Sequence, residues 1–154
     1  MTEQAPGEVA HTIDSLDQVV DLWSKTYNTQ GKPDWSHILP YYAEDIYFRD
    51  SIQEIHGKKE FQTMTERLAV RSKELHMEIV RAGSTGPDMF LEWEMSIAYK
   101  TRPKSIIYGL SRITLNEEGK IAAQRDYYDL WGDIFDNIPF MAKRYRKFMR
   151  KKFG

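Results

Sequence analysis

Two aspartates are the residues of this chain best placed by type and setting to move a proton. Asp126 lies in the run Ile121-Ala-Ala-Gln-Arg-Asp-Tyr-Tyr-Asp129, and Asp50 closes the run Ile46-Tyr-Phe-Arg-Asp50. Both runs read as strands, whose side chains alternate between two faces. Ala122, Gln124, Asp126, Tyr128 and Leu130 therefore share one face, and Ile121, Ala123, Arg125, Tyr127 and Asp129 the other. A strand face with one carboxylate among aromatic and aliphatic neighbours holds either a satisfied structural aspartate or a tuned acid/base. If Asp126 and Asp50 meet in one apolar pocket, desolvation and mutual repulsion raise one of the two pKa values, by ~2–4 units, towards the range where proton transfer is efficient. Otherwise Asp126 pairs with Arg112 or Arg125, or accepts backbone hydrogen bonds, and Asp50 caps a turn. Alternation sets Arg125 on the far face, which weakens its version of that alternative.

The elements that must hold these groups follow from periodicity. Residues 104–136 form a β-hairpin around Asn116-Glu-Glu-Gly119, with Gly132 marking the change to a final helix. Asp14 or Ser15 caps a first helix with a stripe of Leu16, Val19, Val20, Trp23 and Tyr27, ended by Gln30-Gly-Lys-Pro33. A short helix from Asp34 towards Tyr42 is made irregular by Pro40. Ile46–Asp50 is a brief strand, and Lys58–Lys73 a helix with Phe61, Met64 and Leu68 inward. Strands follow at His76–Ala82 and Met89–Tyr99. In the latter, Leu91, Trp93, Met95, Ile97 and Tyr99 alternate with Glu92, Glu94, Ser96 and Ala98. The order ααβαββββα indicates an α+β fold in which a curved antiparallel sheet wraps over three N-terminal helices and encloses something. A loose arm at 1–13, a domain at 14–136 and a basic helix at 137–154 divide the chain.

Composition narrows the partners. The 154 residues suffice for one domain with a real core, and no apolar run reaches the ~18 residues of a membrane span. The polar start does not read as a signal peptide, and the absence of cysteine fits a reducing compartment, so the cytoplasm is the expected location. Residues 143–152 hold seven Lys or Arg, leaving 15 basic against 23 acidic residues elsewhere, a formal −8. Such a body repels a phosphate backbone, so no nucleic-acid partner is expected. His11, His37, His56 and His76 show no metal-ligand spacing, and no dinucleotide, Walker or nucleophile-elbow motif occurs, so neither metal nor cofactor is expected.

Three stretches carry a resemblance. Tyr41-Tyr-Ala-Glu-Asp-Ile-Tyr-Phe-Arg-Asp50, Ile55-His-Gly-Lys-Lys-Glu-Phe61 and Gly119-Lys-Ile-Ala-Ala-Gln-Arg-Asp-Tyr-Tyr-Asp129 resemble, in order and spacing, motifs of the nuclear transport factor 2-like superfamily and its SnoaL-like branch. That resemblance implies a cone-shaped (cystatin-like) α+β fold that hosts isomerases, cyclases, hydrolases and non-enzymes. Asp126 matches the acid/base of SnoaL-like polyketide cyclases and the water-activating base of limonene-epoxide hydrolase. Asp50 matches the proton-shuttling base of ketosteroid isomerase. The isomerase's oxyanion-hole tyrosine and aspartic acid fall on Trp23 and Ser111. The hydrolase's Arg and second Asp fall near Glu94 and Ser96, and its water-binding Tyr on Phe48, so both of those mechanisms are incomplete. What survives is acid/base chemistry by Asp126 and Asp50 on a small apolar substrate. Tyr128 and Ser111 would donate hydrogen bonds, Ser96 and Glu94 would lie nearby, and Trp23, Tyr27, Phe48, Met64 and Leu68 would line the walls.

Two surfaces invite partners. The stripe Leu91/Trp93/Met95/Ile97/Tyr99 is expected on the convex sheet face, covered by a second copy in a homodimer or by the last helix. That helix, about Ile134–Lys152, combines an apolar side with the basic cluster. It either docks on an anionic membrane or leaves its charges solvated. The competing function is therefore a non-catalytic module carrying a lipid-like ligand or metabolite, its tail docked on a membrane or a partner protein.

Overall fold

Ser15 opens the first helix as expected, its Oγ accepting from the Gln18 N–H at 3.2 Å while Gln18 Oε1 accepts from the Asp14 N–H at 2.8 Å. The computed structural model describes residues 10–28, 32–100 and 104–154, apart from the side chains of Tyr99 and Phe135. The expected turn at Gln30-Gly31 and most of the expected arm lie outside those residues. Helix α1 (Leu16–Tyr27) buries Val19, Leu22, Trp23 and Thr26. The expected stripe faces inward, with Leu16, Val20 and Tyr27 half-buried, and Leu22 and Thr26 widen it; Thr26 can be buried because its hydroxyl donates to the Leu22 carbonyl at 2.8 Å.

The second expected helix is not one. Residues 36–38 turn, Leu39–Tyr41 make a single 3-10 turn, and strand β1 (Tyr42–Arg49) begins at once. Pro40 stops the chain from continuing as an α-helix, while Tyr42, Ala43, Ile46 and Phe48 gain more by burial in a strand. A short strand β2 (Glu54–His56), not foreseen, turns back along β1 before helix α2 (Lys58–Arg71). Strands β3 (Ser72–Thr85), β4 (Asp88–Tyr99), β5 (Ser105–Leu115) and β6 (Ile121–Tyr128) then form a meander.

The six strands form one sheet in the order β2-β1-β6-β5-β4-β3. All neighbours are antiparallel except β1 and β6, which run parallel. A parallel pair needs a long crossover, and everything from β2 to β5 supplies it. At the β5–β6 turn, Asn116 Oδ1 accepts from the N–H groups of Glu118 and Lys120, and Gly119 adopts φ +73°, a region that favours glycine. The Gly119 carbonyl accepts from the Ile13 N–H at 2.8 Å, docking the described end of the N-terminal segment on this turn.

The largest departure from expectation concerns β4. Leu91, Trp93 and Ile97 are almost wholly buried, whereas Glu92 and Glu94 are exposed. The apolar stripe faces the concave side, towards α1 and α2, and Glu94 and Ser96 turn to the convex side. Apolar area removed from water is worth about 25 cal/mol per Å², so the greasier of two alternating faces goes inward. The convex face instead shows Ile106, Tyr108 and Tyr127, each about half exposed. A homodimer interface built on the Leu91–Ile97 stripe thereby loses its basis.

After Tyr128 the chain leaves the sheet in a π-helical turn, Leu130–Ile134, and a 3-10 turn, Phe135–Asn137. Asp133 Oδ2 accepts from the Tyr108 N–H at 3.0 Å, satisfying a β5 donor beyond the end of β6. The final helix α3 starts later than expected, at Pro139, and runs to Phe153. None of its residues is buried. Trp131 stacks on Tyr145 at 5.5 Å, and Arg146 forms a bidentate pair with Asp136, at 2.6 and 2.8 Å. No helix among the described residues is long and apolar enough to cross a membrane.

Candidate functional site

A cavity of about 250 Å³ opens between the concave face of the sheet and the helices. One wall is Tyr27 and Trp35, which meet edge to face at 5.3 Å. Phe61, Met64 and Leu68 of α2 form a second wall, and Phe48, Met77, Trp93, Met95, Ile97 and Ile107 of the sheet a third. Leu130 and Ile134 close one side. Of the expected lining, Tyr27, Phe48, Met64 and Leu68 are in place. Trp23 is not: it sits in the core beside Tyr42 (centroids 6.4 Å). Glu94 and Ser96 are absent from the lining too, being on the outer face. The inward positions of β4 are Trp93, Met95 and Ile97, so that strand brings neither an arginine nor an acid into the cavity.

Asp50, Ser111, Gln124, Asp126 and Tyr128 supply polar groups to this apolar wall. Strand register explains why three of them meet. Ser111 lies directly across from Asp126 in the β5–β6 ladder, and Gln124 precedes Asp126 by two on the same face. Ser111 donates to Asp126 Oδ1 at 2.7 Å. Gln124 Nε2 donates to Oδ1 at 3.0 Å and to Oδ2 at 3.3 Å. Each donor is held in turn: Trp93 Nε1–H donates to Ser111 Oγ at 2.9 Å, and the Tyr42 hydroxyl donates to Gln124 Oε1 at 2.7 Å. The Tyr42 bond orients the Gln124 amide with its NH2 towards Asp126. Gln124 and Trp93 were not foreseen as site residues. Gln124 was visible on the right face, but an amide carries no catalytic signature of its own.

Among the described residues no arginine pairs with this carboxylate. Arg125 lies outside, its guanidinium 5.0 Å from the Tyr127 ring centre. Burial pushes the Asp126 pKa up to about 6; the Ser111 and Gln124 hydrogen bonds pull it down, and the charge of Asp50 pushes it up. Oδ1 carries the two short hydrogen bonds, which leaves Oδ2 the freer oxygen. Burial first and the Asp126 charge second also raise the Tyr27 phenol, which stays protonated.

Asp50 is differently employed. Its Oδ1 accepts from the N–H groups of Ile52 (2.8 Å) and Gln53 (2.9 Å), and its Oδ2 accepts from the Tyr128 hydroxyl at 3.2 Å. Asp50 therefore caps a turn while bordering the cavity. Ser111 and Tyr128, expected to donate to a substrate, donate to Asp126 and Asp50 instead. Among the described residues no group of three or more His, Asp or Glu is placed to hold a metal ion.

Comparison with known proteins agrees with this architecture. No curated protein sequence matches the chain significantly. Among solved structures, a hypothetical protein with a ketosteroid isomerase-like fold from Catenulispora acidiphila, in complex with trimethylamine, superposes with a TM-score of 0.66 at 14% identity, over 84% of this chain and 95% of that one. An LEH-like epoxide hydrolase of M. tuberculosis gives 0.63 at 16% identity, over 82% and 92%. A candidate SnoaL-like polyketide cyclase from Shewanella denitrificans gives 0.57 at 15% identity, over 72% and 86%. At such identities the likeness is one of fold. The SnoaL-like domain model matches residues 20–124, more than half of the chain. With its curled six-stranded sheet over two helices, this chain belongs to the SnoaL-like domain family and has the nuclear transport factor 2-like fold.

Proposed function

We propose that the protein is a small-molecule enzyme of isomerase, cyclase or hydrolase type in which Asp126 is the general acid/base. One observation carries the reading: a carboxylate with no cation paired to it among the described residues stands in an apolar cavity, its pKa near 6, held in place by Ser111 and Gln124. Its Oδ2 would take a proton from a substrate C–H or from water, leaving the electron pair on the substrate carbon or on oxygen. Asp126, its proton free to exchange with solvent, would then give a proton back to a substrate atom or to the leaving oxygen. Such a cycle is redox-neutral and needs no second reactant beyond water. Asp50 and Tyr128 would form a second polar point in the cavity, with the Asp50 charge tuning Asp126. Gln124 and Ser111 act as positioning residues, and Trp93 acts through Ser111.

Carboxyl-carbon NMR of Asp126, assigned by the signal lost in Asp126→Asn, should titrate with a midpoint near pH 6. Proton abstraction, read as deuterium uptake from D2O by a panel of enolisable cyclic ketones, should rise through that same pH, because the base must be ionised. Ser111→Ala removes a hydrogen bond to the ionised form, so both midpoints should move to higher pH. A carboxyl that titrates near 4, or exchange indifferent to pH between 5 and 8, would discard the proposal.

A second reading is favoured by α3, where Phe140, Phe148 and Phe153 are 71%, 56% and 79% exposed beside Lys143, Arg144, Lys147, Arg150, Lys151 and Lys152. A basic helix that packs only Tyr145 and its half-buried neighbours on the body, and leaves these phenylalanines and its basic side chains in solvent, suits the surface of an anionic bilayer. On this view the cavity carries a lipid-like ligand and performs no chemistry. The expected result is flotation with phosphatidylserine vesicles, lost at 0.5 M NaCl and on deletion of residues 143–154. Equal flotation of the truncated chain counts against it. Self-association is a separate proposal, now resting on Ile106, Tyr108 and Tyr127 of the convex face.

A further inference from the structure

Two cations stand at the rim of the cavity without partners among the described residues. Arg67 and Arg71 are four residues apart on α2 and so lie one above the other on the same face of the helix. Both border the cavity, and both are exposed. Six other basic residues pair with acids among the described residues: Lys25 with Asp21, Arg49 with Glu54, Lys58 with Glu44, Arg81 with Glu92, Lys104 with Glu74, and Arg146 with Asp136. The unpaired cations of α3 do not line the cavity, whereas Arg67 and Arg71 do. Neither Arg67 nor Arg71 has a hydrogen bond, ion pair or ring contact among the described residues. Favourable interaction with the helix C-terminus accounts for Arg71 in the last turn. It does not account for Arg67, one turn earlier.

The setting narrows the choice. Met64 and Leu68 lie on the same helix and line the cavity between and beside the arginines. The nearby acid, Asp50, is already engaged by Ile52, Gln53 and Tyr128. Deeper in, the walls are aliphatic and aromatic, and the reacting carboxylate is Asp126. A wholly apolar ligand would use the walls and leave both guanidiniums idle. A cationic one would be repelled at the opening. A planar guanidinium forms parallel hydrogen bonds to a carboxylate, and two of them on a rigid helix make a directional anchor.

Taking the cavity as the substrate site, as in the acid/base reading above, we propose that the substrate is an amphipathic carboxylic acid. Its carboxylate is held at the rim by Arg67 and Arg71, and its apolar body projects towards Asp126. The anchor fixes which end enters, and so which substrate atom meets Asp126 Oδ2. The cavity volume of about 250 Å³, just below the roughly 300–1,000 Å³ of drug-sized sites, points to a short body of one ring or a few carbons.

Trp35 and Trp93 line the cavity and report on occupancy by their fluorescence. The test titrates 4-phenylbutyrate, its primary amide and the corresponding phosphate monoester at pH 7.5 into wild type, Arg67→Gln/Arg71→Gln and Asp126→Asn. In wild type the carboxylate should bind at least tenfold more tightly than the amide and no more weakly than the phosphate ester. In the double variant the preference over the amide should fall below twofold, with amide affinity unchanged. Asp126→Asn should keep the preference, so loss of anion selectivity and loss of turnover are read on separate variants. Equal binding of acid and amide to wild type overturns the proposal, as does a preference that survives the double substitution. A phosphate ester that outbinds the carboxylate, or no saturable quenching by any of the three, does so too. Both arginines are exposed, so the double variant should fold; an unchanged thermal midpoint checks this.

Discussion

Asp126→Asn should lower turnover by about 10²–10⁴-fold, the usual contribution of a positioned general acid/base, while leaving the protein folded. Asparagine is nearly isosteric and can still accept from Ser111, and rotation of the Gln124 amide lets it remain bonded. The stability consequence has a definite sign. Burial raises the Asp126 pKa from its ordinary 3.8 to about 6. A carboxyl whose folded pKa is raised contributes stability that is fully present below about pH 4 and lost as pH climbs through 6, because the ionised form is disfavoured in the folded state. At pH 7.5 wild type has lost that contribution, up to about 3 kcal/mol for a shift of this size. Asp126→Asn should therefore be at least as stable as wild type at pH 7.5, and its denaturation midpoint should vary less between pH 4 and 7. Urea unfolding at several pH values, set beside the deuterium-uptake assay, measures both effects. A variant that exchanges protons at the wild-type rate would remove Asp126 from the chemistry.

Gly109→Ala should destabilise the fold by about 1–3 kcal/mol and loosen the site together. Gly109 lies on β5 directly across from Trp93 on β4 and from Tyr128 on β6. The Trp93 indole lies over Gly109 so closely that an added Cβ would fall among the ring carbons Cη2, Cζ2 and Cζ3. This leaves Trp93 two outcomes, a shift in backbone or a departure from the rotamer that lets Nε1–H reach Ser111 Oγ. Either way Ser111 is less firmly held against Asp126. Thermal denaturation should report the loss of stability, and near-UV circular dichroism the altered Trp93 environment. The Asp126 carboxyl midpoint should rise, as with Ser111→Ala but by less. Wild-type stability with an unchanged Trp93 signal would show that the ring has room to spare.

Where sequence reasoning succeeded and failed follows from what periodicity can carry. The β5–β6 hairpin was legible, because Asn116 and Gly119 are turn residues for backbone reasons and the flanking runs alternate. Helix α1 was legible because Ser15 caps it, and α2 because Gly57 and an apolar stripe bound it. The strand at Tyr42 was hidden behind Pro40: the tetrad Tyr42-Ala-Glu-Asp45 fits the end of a helix as well as the start of a strand, and burial against Phe61 (ring centres 4.7 Å apart) decides. Alternation in β4 separated Leu91, Trp93, Met95 and Ile97 from Glu92, Glu94 and Ser96, but says only that there are two faces. Assigning the apolar one to a dimer interface moved Glu94 and Ser96 wrongly towards the cavity.

The sequence by itself determined the α+β class, the position of Asp126 on a strand face with Gln124 and Tyr128, and a basic final helix apart from an acidic body. These are properties of local pattern, because strand period, turn chemistry and charge are written in consecutive residues. Only the tertiary structure decided that Asp126 is met by Ser111 and Gln124 rather than by an arginine, that Asp50 is engaged by a turn and Tyr128, and that Arg67 and Arg71 face the cavity rim. Those facts depend on which strand registers with which, and on the side from which α2 covers the sheet. Such pairings join residues far apart in the chain, and only the packed core selects one of them.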